Sequence, residues 1–116
     1  MKLPLVDEAE VSRPKIVLYL LNPAHRAGKS KARFFGGHGF TVENWQRLAD
    51  ALRQHARQHE VARQETVPLG IRFVVDGDMT MPDGVVAPNH SVWFIERGEP
   101  VPRFVTAYPL KRRQQI

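Results

Sequence analysis

The 116-residue chain has no cysteine, which removes disulfides, thiolate zinc sites and cysteine nucleophiles together. Long apolar runs are missing too. The longest, "IVLYLL" at 16–21, is far short of the roughly 20 residues a bilayer-spanning helix needs. The opening "MKLPLVDEAEV" has no basic stretch followed by an apolar run, so nothing reads as a secretory signal. A cytoplasmic protein without membrane contact is expected. Acidic residues are the minority charge: 12 Asp and Glu face 17 Lys and Arg, giving a net charge of +5 and a pI near 10.1. That excess favours a polyanionic partner such as RNA, DNA or an acidic protein. Absent as well are a Walker loop, a dinucleotide-binding glycine pattern and a Gly-x-Ser-x-Gly elbow, and no cofactor is expected.

Apolar residues make up 42% of the chain and charged residues 25%, the usage of a packed domain rather than a disordered one. The length suits one core, so residues 1–116 are expected to form a single domain. Residues 1–11 read as a leader with an acidic cluster at Asp7, Glu8 and Glu10. Ser12 then offers a helix N-cap, with Pro14 tolerated in the first turn, ahead of a short helix ending near Asn22. The same apolar run also fits a buried strand. The stretch 23–31 is a loop by its Pro, Gly and Ser content, Ser30 offers a cap for a turn through Phe34 and Phe35, and "GGHGF" ends it.

Thr41 is the expected cap of one long helix, about 42–61, on which Val42, Trp45, Leu48, Ala49, Leu52 and Ala56 form an apolar stripe. Beyond it, "GIRFVVDGDMT", "HSVWFIERG" and "PRFVTAYPL" are rich in β-branched and aromatic residues and are divided by "PDG" and "GEPVP" turns. This predicts an α+β fold. Helices of the part 12–61 pack on a small antiparallel meander within 66–111, of three strands or of four if Val85 to Ala87 pairs, with a basic tail at 112–116.

Two segments concentrate positive charge. His25, Arg26, Lys29, Lys31 and Arg33 stand within nine residues without an acid, and Arg103, Lys111, Arg112 and Arg113 frame the last expected strand. Brought together, they would suit metal-free RNA cleavage. In that chemistry a base takes the 2′-hydroxyl proton, cations stabilise the charged phosphorane, and an acid protonates the leaving oxygen. His25 is the candidate base or acid, because its ordinary pKa lies near neutrality. Lys31 and Arg103 are the candidate charge stabilisers, and the Thr106 and Tyr108 hydroxyls the phosphate-orienting donors. Arg26, Lys29, Arg33 and Lys111 are candidate substrate contacts, with His38 and His90 in reserve for the second proton transfer.

Period-two alternation puts Phe104, Thr106 and Tyr108 on one face and Arg103, Val105 and Ala107 on the other. Arg103 then joins the hydroxyls only if the strand begins irregularly after Pro102. The plainer account is that strand propensity favours Thr and Tyr and that surface cations are merely solvated. His55 and His59 have the i, i+4 spacing of a metal pair, but the intervening Ala-Arg-Gln lacks a metalloprotease glutamate and no third ligand is specified, so no metal site is expected. Trp93 and Phe73 suit base stacking or a core, and the unbroken apolarity of "VWFI" favours the core. Asp83 before glycine reads as a turn.

Taken together, "LNPAHRAGKSKARFF", "MPDG", "VWFI" and "PRFVTAYPL" resemble a small bacterial domain family of unknown function over roughly residues 15–111. The layout, an early His/Lys segment and an Arg-x-x-Thr-x-Tyr-Pro final strand, also resembles the barnase, endoribonuclease U, colicin and RelE group of ribonuclease toxins. That resemblance implies a metal-independent endoribonuclease, toxin-like, whose partners are RNA and a small acidic inhibitor, with His25, Lys31, Arg103, Thr106 and Tyr108 at the site. One departure stands out: where family-like sequences favour Arg-Thr before Val-Trp, this chain has His90-Ser91. The alternative is a non-catalytic basic module that binds RNA or an acidic protein.

Overall fold

From residue 61 onward, runs of β-branched and aromatic residues broken by glycine and proline turns fold into one sheet. The computed structural model describes residues 1–110. Among them the sheet has four strands: β1 Val61–Val67, β2 Gly70–Thr80, β3 Val86–Glu96 and β4 Arg103–Pro109. All neighbours are antiparallel and the order is β1-β2-β3-β4, so the expected meander takes its four-stranded form. The extra strand is β1, in a stretch read as the end of a helix and a connection. Its "VARQETV" shows no apolar alternation because it is an edge strand whose inner residues are exposed and which is held by backbone pairing to β2. Exposed charge there also discourages edge-to-edge aggregation. Val86 and Ala87, weighed as a separate strand with Val85, are the first residues of β3.

Helix α1, Arg13–Lys15, is a single turn that passes into a π-helical turn over Ile16–Leu20. The Ser12 hydroxyl accepts the Lys15 amide at 3.4 Å and Pro14 sits in the first turn, as expected. Helix α2 covers Lys29–Gly37 and α3 covers Trp45–Gln58. Ser30 lies inside α2, whose N-cap is Gly28. Helix α3 is shorter than 42–61 at both ends. The Thr41 hydroxyl accepts the Asn44 amide at 3.1 Å in a turn that precedes the helix, which leaves Val42 exposed outside it. At the other end His59 is already extended, and the Val61 amide donates to the Met1 carbonyl at 2.7 Å.

The α3 stripe of Leu48, Leu52 and Ala56 is buried in one core with Phe73, Val75 and Trp93 of the sheet. Full burial of each such leucine contributes about 1.5–3 kcal/mol. The segment read as a leader is part of this body: Leu3, Ala9 and Val11 are buried. Glu10 pairs in parallel with Arg103, its amide donating to Pro102 at 2.9 Å and its carbonyl accepting from Phe104 at 2.8 Å. The free edge of β4 is thereby covered, and the helical turns that follow Glu10 flank it.

The register between β3 and β4 slips by one residue. Val92 faces Thr106, while Trp93 faces Phe104, so Val105 is the extra residue of a β-bulge. This overturns the simple alternation. Phe104 and Ala107 are both buried in the core, and Thr106 and Tyr108 point to the opposite face. Arg103, partner of Phe94, joins that face. The irregularity that would unite the three polar residues exists, at Val105 rather than directly after Pro102.

Candidate functional site

Cross-strand partners share a face, and three polar residues line up across the sheet in this way. Asp76 on β2 pairs with His90 on β3, which pairs with Tyr108 on β4. His90 Nδ1 is hydrogen-bonded to the Asp76 carboxylate. With Nδ1–H donated to that carboxylate, the Nε2 lone pair is the one available to take a proton. The Tyr108 ring lies 4.7 Å from the His90 ring, tilted by 42°.

A second hydrogen-bonded chain reaches β4 from the helical side. The π-helical turn brings Tyr19 to the edge of β4, where its hydroxyl lies 2.8 Å from Thr106 Oγ1. Helix α2 delivers Lys31, whose Nζ donates to the Tyr19 hydroxyl at 2.7 Å. The Lys15 ammonium sits 5.6 Å from the Tyr19 ring centre and that of Lys31 5.1 Å. Burial pushes the Tyr19 hydroxyl up, but hydrogen bonds from Lys31 and Thr106 and the charges of Lys31 and Lys15 outweigh it and hold the pKa below its ordinary value near 10. Gly28 allows this approach, since a Cβ there would collide with the Tyr19 carbonyl oxygen.

Thr106 and Tyr108 are two residues apart on one face, about 7 Å along the strand. They form one wall of a cleft of ≈ 630 Å³, floored by Val74 and Val92 and bounded on its far side by Arg63, Glu65 and Arg72. His90, opposite Tyr108 across the β3–β4 pair, adjoins that wall without lining the cleft. Arg63, Arg72, Glu65 and the Thr106 and Tyr108 side chains line the cleft, while the Asp76–His90 pair adjoins Tyr108 and the Lys31–Tyr19 pair adjoins Thr106. The arrangement can bind an anion and move protons at both ends of it.

Of the residues singled out from sequence, Lys31, Thr106, Tyr108 and His90 come together here. His25 stands behind Tyr19: its ring meets the Tyr19 ring edge-on at 4.9 Å, and its Nδ1 accepts the Ala27 and Gly28 amides, each at 3.1 Å. Arg103 is farther along the same face, 3.3 Å from the Glu96 carboxylate and with its guanidinium 5.7 Å from the Phe94 ring centre. His38 bonds the Asp83 carboxylate at 2.8 Å in the turn after β2, and that bond is the main cause holding the Asp83 carboxyl below its usual value. Arg26, Lys29 and Arg33 are exposed on the loop and on α2. Lys111 and the tail 112–116 lie outside the described residues.

His55 is a core residue. Its Nε2–H donates to the Gly77 and Asn89 carbonyls, each at 3.0 Å. Its Nδ1 accepts from the Ser91 hydroxyl at 2.8 Å, and Ser91 in turn accepts the Trp93 indole N–H at 2.9 Å. Burial is the main cause that holds the His55 pKa below 6.5. Ser91, half of the His90-Ser91 departure, thus serves the core while His90 serves the cleft. Phe73 and Trp93 are buried and offer no stacking surface. Among the described residues no three His, Asp or Glu side chains cluster as metal ligands, and no helix is long and apolar enough to cross a membrane.

Sequence reasoning missed Tyr19, Asp76, Arg63 and Arg72. Tyr19 carried one signal, a hydroxyl inside the otherwise apolar "IVLYLL". Asp76 carried another, an acid ending the apolar run of "RFVVD". The arginines gave none, because the edge strand that positions Arg63 was itself not legible.

A family model described as "Domain of unknown function (DUF6883)" matches residues 2–111. No curated protein matches the chain. Among solved structures, a chain of a contact-dependent growth inhibition toxin–immunity protein complex from Klebsiella pneumoniae 342 is similar in fold, with a TM-score of 0.68 and 15% sequence identity, covering 86% of this chain and 98% of that one.

Proposed function

This chain belongs to the DUF6883 family, and from its site we propose that it cleaves RNA by attack of a ribose 2′-hydroxyl on the adjacent phosphate, without a metal ion, in the manner of a ribonuclease toxin. The observation that carries this reading is that Asp76–His90–Tyr108 and Lys31–Tyr19–Thr106 end side by side on β4 at a cleft bounded by Arg63 and Arg72.

His90 Nε2 takes the 2′-hydroxyl proton, with Asp76 fixing the tautomer and stabilising the imidazolium. The 2′-oxygen attacks phosphorus, and Lys31 with the cleft arginines stabilises the negative charge that develops. Tyr19, whose lowered pKa makes it a better acid than a free tyrosine, gives its proton to the departing 5′-oxygen directly or through the Thr106 hydroxyl. Tyr108 orients the phosphate. The products are a 2′,3′-cyclic phosphate and a 5′-hydroxyl. His25 acts through Tyr19 as a positioning residue, and Arg103, paired with Glu96, stands outside the reacting group.

Support for membership of a toxin–inhibitor pair is the fold shared with a chain of a toxin–immunity protein complex, and the net positive charge supports the RNA-binding side of such a pair. A cytoplasmic enzyme of this kind requires an inhibitor in its own cell. An acidic protein laid over Arg63 and Arg72 is the partner this surface fits. The test is cleavage of cellular RNA in EDTA by the wild type, His90→Ala and Tyr19→Phe, with a gel shift alongside. Cleavage lost in both variants supports the reading. RNA binding without cleavage by the folded wild type replaces it with that of a non-catalytic basic module.

A further inference from the structure

The two edges of the sheet differ. Glu10 covers the β4 edge, whereas β1 pairs only with β2 among the described residues, and residues 62–66 are exposed. The hairpin fixes which backbone groups of β1 face outward. Val67 faces Gly70 across a two-residue turn, so Val67, Glu65 and Arg63 bond to β2, and the N–H and C=O groups of Gln64 and Thr66 point away from it. The bulge at Ala62 turns the Val61 amide outward as well, and there the Met1 carbonyl accepts it at 2.7 Å. Between Met1 and Pro68, an incoming strand meets outward donors and acceptors at Gln64 and Thr66.

The side chains of this edge are complementary to themselves. "VARQETV" has Gln64 at its centre, Arg63 and Glu65 on either side, Ala62 and Thr66 beyond them and a valine at each end. Laid antiparallel on a second copy with Gln64 opposite Gln64, each Arg63 faces a Glu65 and each Ala62 faces a Thr66. The backbone favours the same centre, because the outward N–H and C=O of Gln64 can exchange two hydrogen bonds with those of its counterpart. Moving the centre by one residue sets Glu65 against Glu65 or Arg63 against Arg63, and in-register parallel pairing stacks like charges too. Among the described residues neither Arg63 nor Glu65 is in an ion pair, so both charges are available to a second copy.

We propose that β1 is a self-docking edge, through which two copies of this chain join as a two-fold symmetric dimer. The product is one continuous eight-stranded sheet, four strands from each copy. The axis runs normal to the sheet beside Gln64, so the two clefts open on the same face. Arg63 and Glu65 line the cleft, and each copy therefore adds its own Arg63 and Glu65 to the rim of the other's cleft. The contact is one short polar strand with little apolar area, which makes a weak, concentration-dependent dimer rather than a permanent one. The charges on β1 keep other strands and other registers away while admitting this one. The pairing rests on the edge alone and holds whatever the cleft binds or cleaves.

The experiment is sedimentation equilibrium of the full chain from about 10 µM to about 1 mM. Wild type, Arg63→Glu, Glu65→Arg and Gln64→Pro are compared, with circular dichroism as a check on folding. Wild type should pass from monomer to dimer as concentration rises, and less readily at high salt. Each charge reversal sets two like-charged pairs across the axis and should weaken the dimer at least about tenfold. Gln64→Pro removes an outward N–H that β2 does not use, so the dimer should be lost while β1 stays paired. An equimolar mixture of Arg63→Glu with Glu65→Arg places opposite charges at both pairs and should form a heterodimer, although neither variant dimerises alone. A wild type that is monomeric at every concentration, a dimer untouched by the single reversals, or a mixture no more associated than its components overturns the proposal.

Discussion

Replacing Ser91 by alanine tests how the core holds β3 in place beneath the cleft. Ser91 is fully buried, and its hydroxyl is shared by two neighbours, donating to His55 Nδ1 and accepting from Trp93 Nε1. In Ser91→Ala both groups remain buried and both lose this partner. A buried polar group left unsatisfied costs about 1–3 kcal/mol, so two such losses predict a destabilisation of about 3 kcal/mol. That is a substantial part of the 5–15 kcal/mol typical of a domain and roughly 10 °C in melting temperature. Urea unfolding followed by Trp fluorescence should show a lower midpoint at an unchanged slope. In a Trp93→Phe background, where the indole N–H is absent, the same substitution should cost about 1 kcal/mol less. A loss below about 0.5 kcal/mol, or no coupling to position 93, would refute the hydrogen-bonded network.

Further outcomes follow from the same geometry. Because the folded His55 pKa lies below its unfolded value of 6.5, the unfolded state binds more protons as pH falls through that value. Its contribution is therefore fully present above pH 6.5 and is lost below it, by up to about 1.4 kcal/mol per pH unit. Urea midpoints between pH 7.5 and 5 should reveal this fall. Ultraviolet titration should show one tyrosine ionising earlier than a model tyrosine, and Lys31→Met should move it back upward as the ammonium hydrogen bond and charge are removed. Arg63→Ala and Arg72→Ala should each weaken RNA binding and reduce the slope of log affinity against log salt by about 1, the mark of a lost phosphate contact. Gly28→Ala should lower activity and stability together, since its Cβ would collide with the Tyr19 backbone and displace the hydroxyl from Thr106.

Much of the architecture was written in local patterns. The 3.6-residue stripe of Leu48, Leu52 and Ala56 announced α3, and β-branched runs between glycine turns announced β2, β3 and β4. Strand β1 stayed hidden because an edge strand needs only backbone pairing, so Arg63, Gln64 and Glu65 carry no burial signal. The ends of α3 were misplaced because Thr41 closes a turn ahead of the helix rather than the helix itself.

At the site, Lys31, Thr106 and Tyr108 could be picked out because their residue types suit phosphate chemistry. Which histidine stands beside them could not. That depends on strand register, which pairs His90 with both Asp76 and Tyr108, and register is a property of long-range pairing rather than of spacing along the chain. Tyr19 reaches Thr106 across 87 positions of sequence, and its apolar neighbours disguised it as core. The bulge at Val105 had the largest effect on the site and the least sequence signal, since it alone puts Arg103 on the face of Thr106 and Tyr108.

In the proposed reaction the 2′-hydroxyl is the nucleophile and His90 its base. The most direct measurement compares cleavage, in EDTA, of a short RNA with the same RNA carrying 2′-deoxyribose at the scissile position, with the products' ends analysed. The expected result is cleavage of the all-ribose strand into 2′,3′-cyclic phosphate and 5′-hydroxyl ends, with no cleavage at the deoxy position and a loss of at least about a hundredfold in His90→Ala. Cleavage at the deoxy position, or a His90→Ala rate equal to wild type, would contradict it.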